Sequence, residues 1–218
     1  AELIDMERIQ IHPTGFIKPD DPGSNWKFLA AESLRGIGGV LVNTDKLERF
    51  VNELDTRDKV SAKVGQQKDK KAYLVLNLAM YEELKFQIDF YTKMKVFERT
   101  TAKDKFGSRA DEFVKTLLKH SEEGVDEFSR EHKAHVFTDV TPETEIFIGE
   151  VTPVVHFTMG GVKINTYGQV LKKDNTTISG LYAIGEVSGG VHGQNRLGGN
   201  SLLECVVFGT RVGEGLQY

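Results

Sequence analysis

The chain has 218 residues, of which 39% are hydrophobic and 28% charged, a composition that supports a packed core and argues against disorder. Its net charge of -4 argues against a broad nucleic-acid surface, and no apolar run is long enough to span a bilayer. The single cysteine, Cys205, excludes an internal disulfide and fits a reducing compartment.

Residues 1–62 are predicted to combine short strands with one helix. The sequence LIDMERIQIHPTGF is typical of a strand that runs into a turn at Pro13-Thr14-Gly15. The next apolar segment, KFLAAESLRG, has helical spacing and ends at Gly36, a residue type common just after a helix. The segment GGVLVNTDKLERFVNE then predicts a strand, a polar turn and a second strand.

The composition and the predicted secondary structure change twice in the rest of the chain. Residues 63–140 are rich in Lys and Glu and predict helices around 78–97 and 109–120, with GQQKDKK as a solvated loop. Residues 146–218 return to short strands and glycines and end in a helix. Ser201 and Glu204 have the spacing of a capping box at the start of that helix. Cys205 is expected in the core.

The stretch HGQNRLGGN, residues 192–200, leads directly into this last helix. A helix N-terminus presents free N–H groups and a partial positive charge, and glycines allow a flat or anionic ligand to approach the backbone. The competing interpretation is a glycine-rich turn that only packs against its neighbours. The local sequence favours neither.

Several charged residues and histidines add to the functional interpretation. Glu32 and Arg35 share a face of a predicted helix, although such a pair is usually a surface ion pair. Two arginines and two histidines could instead bind a small dicarboxylate, because the planar fork of Arg fits a carboxylate. Spacing alone does not choose between these interpretations. The residues from which such a set could be drawn are His12, Arg57, His156, His192 and Arg196.

Five ordered motifs carry a resemblance to a known family: HPTGF, AAESLRGIGG, FVNELDTRD, EVTPVVHFTMGGVKIN and GLYAIGEVSGGVHGQNRLGGNSLLECVVFG. Together they resemble the soluble FAD-dependent fumarate reductases, in particular the eukaryotic branch of the succinate dehydrogenase/fumarate reductase flavoprotein superfamily. The resemblance implies an α+β or α/β fold. It assigns residues 1–8 to the end of an FAD-domain strand, 9–156 to a substrate-capping (clamp) domain and 157–218 to the C-terminal segment of the FAD-binding domain.

The resemblance also implies an activity, the reduction of fumarate to succinate, and a role for each matching residue. FAD N5 gives a hydride to one alkene carbon, Arg57 protonates the other, and Glu32 and Arg35 resupply that proton. His156 and Arg196 match residues that bind one carboxylate, and His12 matches one that binds the other, a pattern that favours fumarate over urocanate or a cinnamate. The residues implied to bind FAD are Glu186, at the ribose-phosphate part, and the start of the last helix, at Gly199, Asn200, Ser201 and Leu202.

Two features depart from the family pattern. Ala31 stands where some members have Thr, so one substrate hydrogen bond is expected to be missing. The chain contains no G-x-G-x-x-G fingerprint, so we expect it to lack the N-terminal dinucleotide-binding portion, which another part of the protein or another chain would supply. The alternative is a catalytically inactive fragment or degenerate relative that acts as a structural or binding component.

Further expectations concern partners and metals. The resemblance leaves the electron donor unidentified, and the cytosol or the mitochondrion is the expected compartment. No metal site is expected, because His120, His132 and His135 lie in a charged segment without cysteine partners and are interpreted as solvated.

Overall fold

The computed structural model describes residues 1–120, 127–130 and 134–216. The elements, in chain order, are β1 (Leu3–Ile4), β2 (Ile9–Phe16), α1 (Glu32–Gly36), β3 (Val40–Asn43), α2 (Arg57–Gly65), β4 (Ala72–Asn77), α3 (Leu78–Glu83), α4 (Lys85–Lys93), β5 (Glu98–Thr101), α5 (Ala102–Phe106), α6 (Ala110–Lys119), β6 (Glu145–Thr158), β7 (Gly161–Val162), β8 (Gln169–Leu171), β9 (Thr177–Tyr182) and α7 (Asn200–Gly215). Short 3-10 helices lie at Lys68–Lys70 and Gly107–Arg109. The mixed α/β class expected from the sequence is confirmed.

The chain divides into two compact units. His12–Val154 form one, called here the central unit, and Ala1–Ile11 together with Val155–Tyr218 form the other, the terminal unit. The chain passes between them within β2 and within β6. Each unit is described by itself below.

The central unit is built on a sheet with the strand order β2-β6-β4-β3, and β5 also pairs with β6. The pairs β3–β4, β4–β6 and β5–β6 are antiparallel. All four residues of β3 are buried, and Leu74, Val75 and Leu76 of β4 are fully buried on both faces. Burial of consecutive residues shows that both faces of β3 and β4 are covered, although β3 lies at the end of the strand order, and these strands support the loops that carry the charged residues of this unit.

Helices pack against this sheet through apolar stripes. In α6, Ala110, Phe113, Val114 and Leu117 are buried, at the three- and four-residue spacing of one helix face. This confirms the helix predicted around 109–120. The helical segment predicted for 78–97 is also present, but it is broken at Leu84 into α3 and α4.

Other sequence-based expectations for the central unit were wrong. The predicted turn at Pro13-Thr14-Gly15 is part of β2, at the end of the sheet order, where a missing N–H is tolerated. The helix in KFLAAESLRG begins only at Glu32. The second strand expected after β3 is reduced to one bridge between Val42 and Arg49. The strands β4 and β5 and the helix α2 were not predicted, because a short apolar run shows no clear period.

The terminal unit contains two small antiparallel pairs, β1–β7 and β8–β9, and the helix α7. Its glycines allow close backbone approach, since a Cβ on Gly189 would lie 2.5 Å from the backbone nitrogen of Gly161. Four apolar side chains of α7 are exposed: Leu202, Leu203, Val206 and Val207. Among the described residues, no helix is both long and apolar enough to cross a membrane.

Candidate active site

His12 of the central unit lies on β2 and is fully buried. The backbone N–H of Thr14 donates a hydrogen bond to its Nδ1 at 3.3 Å. An Nδ1 that accepts a hydrogen bond leaves the proton of a neutral imidazole on Nε2. That Nε2 lies 3.9 Å from Oε1 of Glu32, so the protonated nitrogen faces a carboxylate.

Glu32 begins α1 and forms an ion pair with Arg57, the first residue of α2. The Glu32 side chain is 44% exposed, whereas that of Arg57 is only 10% exposed. A cation at the start of a helix meets the positive end of the helix dipole, so a carboxylate partner offsets an unfavourable field. The structure therefore brings His12, Glu32 and Arg57 together around a single carboxylate.

Arg35 lies on α1 with Glu32 but is buried in the protein interior. Its Nη1 donates a hydrogen bond to the backbone carbonyl of Glu53 at 2.6 Å. Burial lowers the pKa of Arg35 from its ordinary value to about 10, against the opposing effect of the negative charges on Glu32 and Glu53. A guanidinium in this setting gives up a proton more readily than one at the protein surface.

A buried network that the sequence analysis did not identify surrounds Arg35. The carboxylate of Glu53 accepts hydrogen bonds from Arg49 at 2.7 and 2.9 Å, from Arg130 at 2.8 Å and from the Leu41 N–H at 3.0 Å. Arg130 also donates to the carbonyl of Arg35 at 3.0 Å. Burial by itself would raise the pKa of Glu53, but the hydrogen bonds and charge of Arg49 and the charge of Arg130 hold it below its ordinary value.

Ala31, the position of the departure from the family pattern, precedes α1. Its backbone N–H donates to the Tyr91 hydroxyl at 3.3 Å, and that hydroxyl donates to the carbonyl of Leu29 at 2.9 Å. Burial raises the pKa of Tyr91. The start of α1 is therefore fixed by a tyrosine 60 residues away in the chain, and this contact has no local sequence signal.

In the terminal unit, Arg196 and His156 both adjoin Phe157. His156 precedes Phe157 on β6 and is half-buried. The guanidinium of Arg196 lies over the Phe157 ring, 4.5 Å from the ring centre, and Arg196 is only 4% exposed. A cation placed on an aromatic face is held in position, and Nη1 of Arg196 also donates a hydrogen bond to the carbonyl of Leu197 at 3.1 Å.

The residues expected to bind FAD lie at two positions in the terminal unit. Glu186 accepts hydrogen bonds from the N–H and hydroxyl of Thr158, at 2.9 and 3.3 Å. Asn200, Ser201 and Leu202 form the first turn of α7, and Gly199 caps it in the left-handed conformation with φ of 80°. Open space surrounds the position that a Cβ on Gly199 would occupy, since no atom lies within 4 Å of it.

Three expectations for the terminal helix and the histidines were wrong. The capping box is absent, because α7 begins at Asn200 and Glu204 pairs with His192. Cys205 is exposed, since it lies on the outward face of α7. His120 is buried beside the Phe137 ring, and His135 pairs with Glu83, whereas His132 lies outside the described residues.

Comparisons with known proteins identify the family to which the chain belongs. The family described as FAD binding domain matches residues 1–202. Fumarate reductase 1 of Saccharomyces cerevisiae is 49% identical over 99% of this chain and 48% of its own length. The fumarate reductase of Schizosaccharomyces pombe is 42% identical over 99% of this chain and 42% of its own length.

A solved structure extends the comparison to three dimensions. The open conformation of a flavocytochrome c3 fumarate reductase matches with a TM-score of 0.72 and 33% identity, over 98% of this chain and 37% of that chain. The chain spans about half the length of the curated relatives it matches.

Proposed function

The chain belongs to the FAD binding domain family, and from that premise we propose that it is part of a flavin-dependent enzyme that reduces fumarate to succinate. The observation that carries the proposal is the contact of the Glu32 carboxylate with Arg57 and its approach to His12. The names of the two yeast relatives support the same reaction.

The proposed proton path runs along Arg35, Glu32 and Arg57. When bound, FAD supplies the hydride that adds to one alkene carbon. Arg57 gives a proton to the other carbon, so one hydride and one proton convert fumarate to succinate. Glu32, which carries no proton in its ion pair, then accepts one from Arg35 and passes it to the neutral Arg57. The lowered pKa of Arg35 suits it to resupply Glu32, because a proton leaves a buried guanidinium at less cost.

The proposed substrate contacts are electrostatic. His156 and Arg196 bind one carboxylate of fumarate, and His12 binds the other through its Nε2. Hydride addition places negative charge beside a carboxylate, and cationic or donor groups fixed there stabilise it as it develops. Arg196 is suited to this role because its stacking on Phe157 removes rotational freedom before substrate arrives.

We propose that FAD is held by Glu186 and by the N-terminal turn of α7, at Gly199, Asn200, Ser201 and Leu202. The open space beside Gly199 and the N–H groups of this turn fit a flat group that bears negative charge. The remainder of the dinucleotide site would come from the N-terminal portion that the relatives possess, or from another chain. The domain limits expected from the sequence, 9–156 for the capping domain and 157–218 for the flavin segment, are part of this proposal.

The test measures flavin content and fumarate-dependent oxidation of a reduced viologen by the protein. We expect flavin absorption at about 450 nm. Arg57→Ala should lower the turnover rate by about 10²–10⁴-fold, because a proton donor is lost. Lys59→Ala is the matched control, since Lys59 lies on the same helix, is exposed and pairs with Asp55.

Other outcomes would change the assignment. A protein that binds FAD but reduces urocanate or a cinnamate faster than fumarate would have a different enoate as its substrate. Absence of both flavin and turnover would leave the alternative, a catalytically inactive component of a larger assembly.

A further inference from the structure

We propose that His192 and Glu204 are positioning residues, which hold the glycine-rich segment 190–199 so that Arg196 keeps one orientation. The inference rests on the proposed function, in which Arg196 binds a substrate carboxylate. His192 and Glu204 would not touch the substrate themselves and would act through Arg196.

The segment needs such support because its glycines and its lack of a regular element provide little stiffness. Gly190, Gly193 and Gly199 have left-handed φ angles of 85°, 65° and 80°. Glycine adopts these angles without a steric penalty and also leaves them easily, so it provides little stiffness. No helix or strand lies between the end of β9 at Tyr182 and the start of α7 at Asn200. Arg196 therefore depends on side-chain contacts for its position.

The first contact ties the segment to α7. Nε2 of His192 donates to Oε2 of Glu204 at 2.8 Å, and the two side chains are only 9% and 3% exposed. A buried carboxylate without a partner is costly, so this hydrogen bond strongly favours the observed path of the chain. Glu204 lies in the second turn of α7, so His192 is fastened to a regular element.

Phe157 transmits this support to Arg196. Its ring is 3% exposed and contacts the His192 ring edge-on, with 5.5 Å between ring centres. The guanidinium of Arg196 lies over the same ring at 4.5 Å. His192 and Arg196 thus pack against one aromatic side chain, and loss of the His192 contact would free the ring on which Arg196 rests.

Hydrogen bonds from Gln10 hold the backbone of Arg196 in place. Nε2 of the buried Gln10 donates to the carbonyl of Arg196 and to Oδ1 of Asn195, both at 2.7 Å. With the backbone held from β2, the orientation of the Arg196 side chain depends on its side-chain contacts, among them the hydrogen bond from Nη1 to the carbonyl of Leu197 at 3.1 Å and the Phe157 ring. The His192–Glu204 pair supports the contact with Phe157.

The experiment measures succinate affinity by calorimetry on the FAD-loaded protein. Glu204→Leu and His192→Phe, tested separately, should each raise the dissociation constant for succinate about tenfold, as expected for one lost positioning hydrogen bond. In an Arg196→Ala background, neither substitution should raise it further, because Arg196 is no longer there to be positioned. Glu204→Gln keeps an acceptor oxygen for His192 and should restore an affinity within about twofold of the original.

The chain offers a matched control in a second His–Glu pair. Nε2 of His135 lies 2.7 Å from Oε2 of Glu83, but these side chains are 32% and 61% exposed. Glu83→Leu should leave succinate affinity unchanged.

Four results would overturn the inference. An equal loss of affinity in both backgrounds would indicate a general structural role. Unchanged affinity in folded Glu204→Leu and His192→Phe would exclude any positioning role. Glu204→Gln as weak as Glu204→Leu would exclude the hydrogen bond as the cause. If Arg196→Ala itself leaves the affinity unchanged, the proposed substrate role of Arg196 fails and this inference fails with it, whereas the first three results leave that role intact.

Discussion

Arg35 and Arg57 both lie close to Glu32, yet their surroundings differ. Arg35 is buried, and burial lowers its pKa to about 10. Arg57 is paired directly with Glu32, whose side chain is nearly half exposed. A partly exposed carboxylate between two guanidinium groups can exchange protons with solvent and with both neighbours. This arrangement favours Glu32 as the residue that passes a proton from Arg35 to Arg57 in the proposed path.

A pH profile of Arg35→Lys tests whether Arg35 belongs to that path. Lysine has an ordinary pKa of about 10.4, and the burial that lowers the pKa of Arg35 would lower that of a lysine there as well. The protonated form, needed to resupply Glu32, would then be lost at a lower pH than in the original protein. We expect the alkaline limb of kcat for fumarate reduction to move from about pH 10 to a lower pH.

Arg109→Lys is the control for this profile, because Arg109 is exposed and pairs with Glu112 at the surface. Its kcat profile should match that of the unaltered protein. A profile of Arg35→Lys that keeps its alkaline limb near about pH 10 would remove Arg35 from the proton path.

Among the secondary-structure elements, those with a long regular pattern were predictable and those fixed by distant partners were not. The spacing of Phe113, Val114 and Leu117 predicted α6. The strand β4 gave no periodic signal, because buried apolar residues lie on both of its faces. The capping box at Ser201 and Glu204 failed because Glu204 bonds to His192, twelve residues earlier, and not to the N-terminus of its own helix.

The loop between β3 and α2 is held by Glu53, whose replacement should be costly. Glu53→Gln removes the charge that Arg49 and Arg130 share and leaves two guanidinium groups buried without it. We expect the free energy of unfolding to fall by about 3–5 kcal/mol at neutral pH, measured by urea denaturation. Glu145→Gln is the control: it breaks an exposed pair with Arg99 and should change stability little. Equal effects of the two substitutions would contradict a structural role for the buried network.

The effect of Glu53→Gln on the free energy of unfolding should depend on pH. Because the pKa of Glu53 is lower in the folded protein, its ionised form contributes stability fully above the unfolded-state pKa, and this contribution is lost as pH falls through the folded-state pKa. The difference in unfolding free energy between the original protein and Glu53→Gln should therefore shrink as pH falls below about 4.5. A difference that stays constant down to about pH 3 would show that Glu53 is not held ionised by its arginine partners.

For the molecule as a whole, the candidate site residues came from a resemblance and not from spacing. His12, Glu32 and Arg57 are spread over 46 positions, and no local pattern indicates that one carboxylate joins them. The motifs carried this information because each places a residue on an element whose position the rest of the fold determines. The resemblance indicated no role for Gln10, Glu53 or Glu204, since these residues contact other side chains of the protein.

The exposed apolar face of α7 predicts a contact with another part of the whole protein. Val206 is 65% exposed and lies beside Leu202, Leu203 and Val207, which are exposed as well. We expect the part of the protein that corresponds to the remaining length of its relatives to cover this face, because an apolar patch of this kind is rarely left in water. Val206→Asp would then bury a carboxylate at the contact, at a cost that weakens the packing behind the proposed FAD site.

The flavin-to-protein absorbance ratio of purified Val206→Asp should accordingly fall severalfold below that of the original protein. Ser179→Asp is the matched control, since it adds the same charge to an exposed position on β9 of the same unit. If Val206→Asp retains its full flavin content, α7 does not meet the rest of the flavin domain through this face. FAD would then depend on the first turn of α7 and Glu186 without support from packing along the helix.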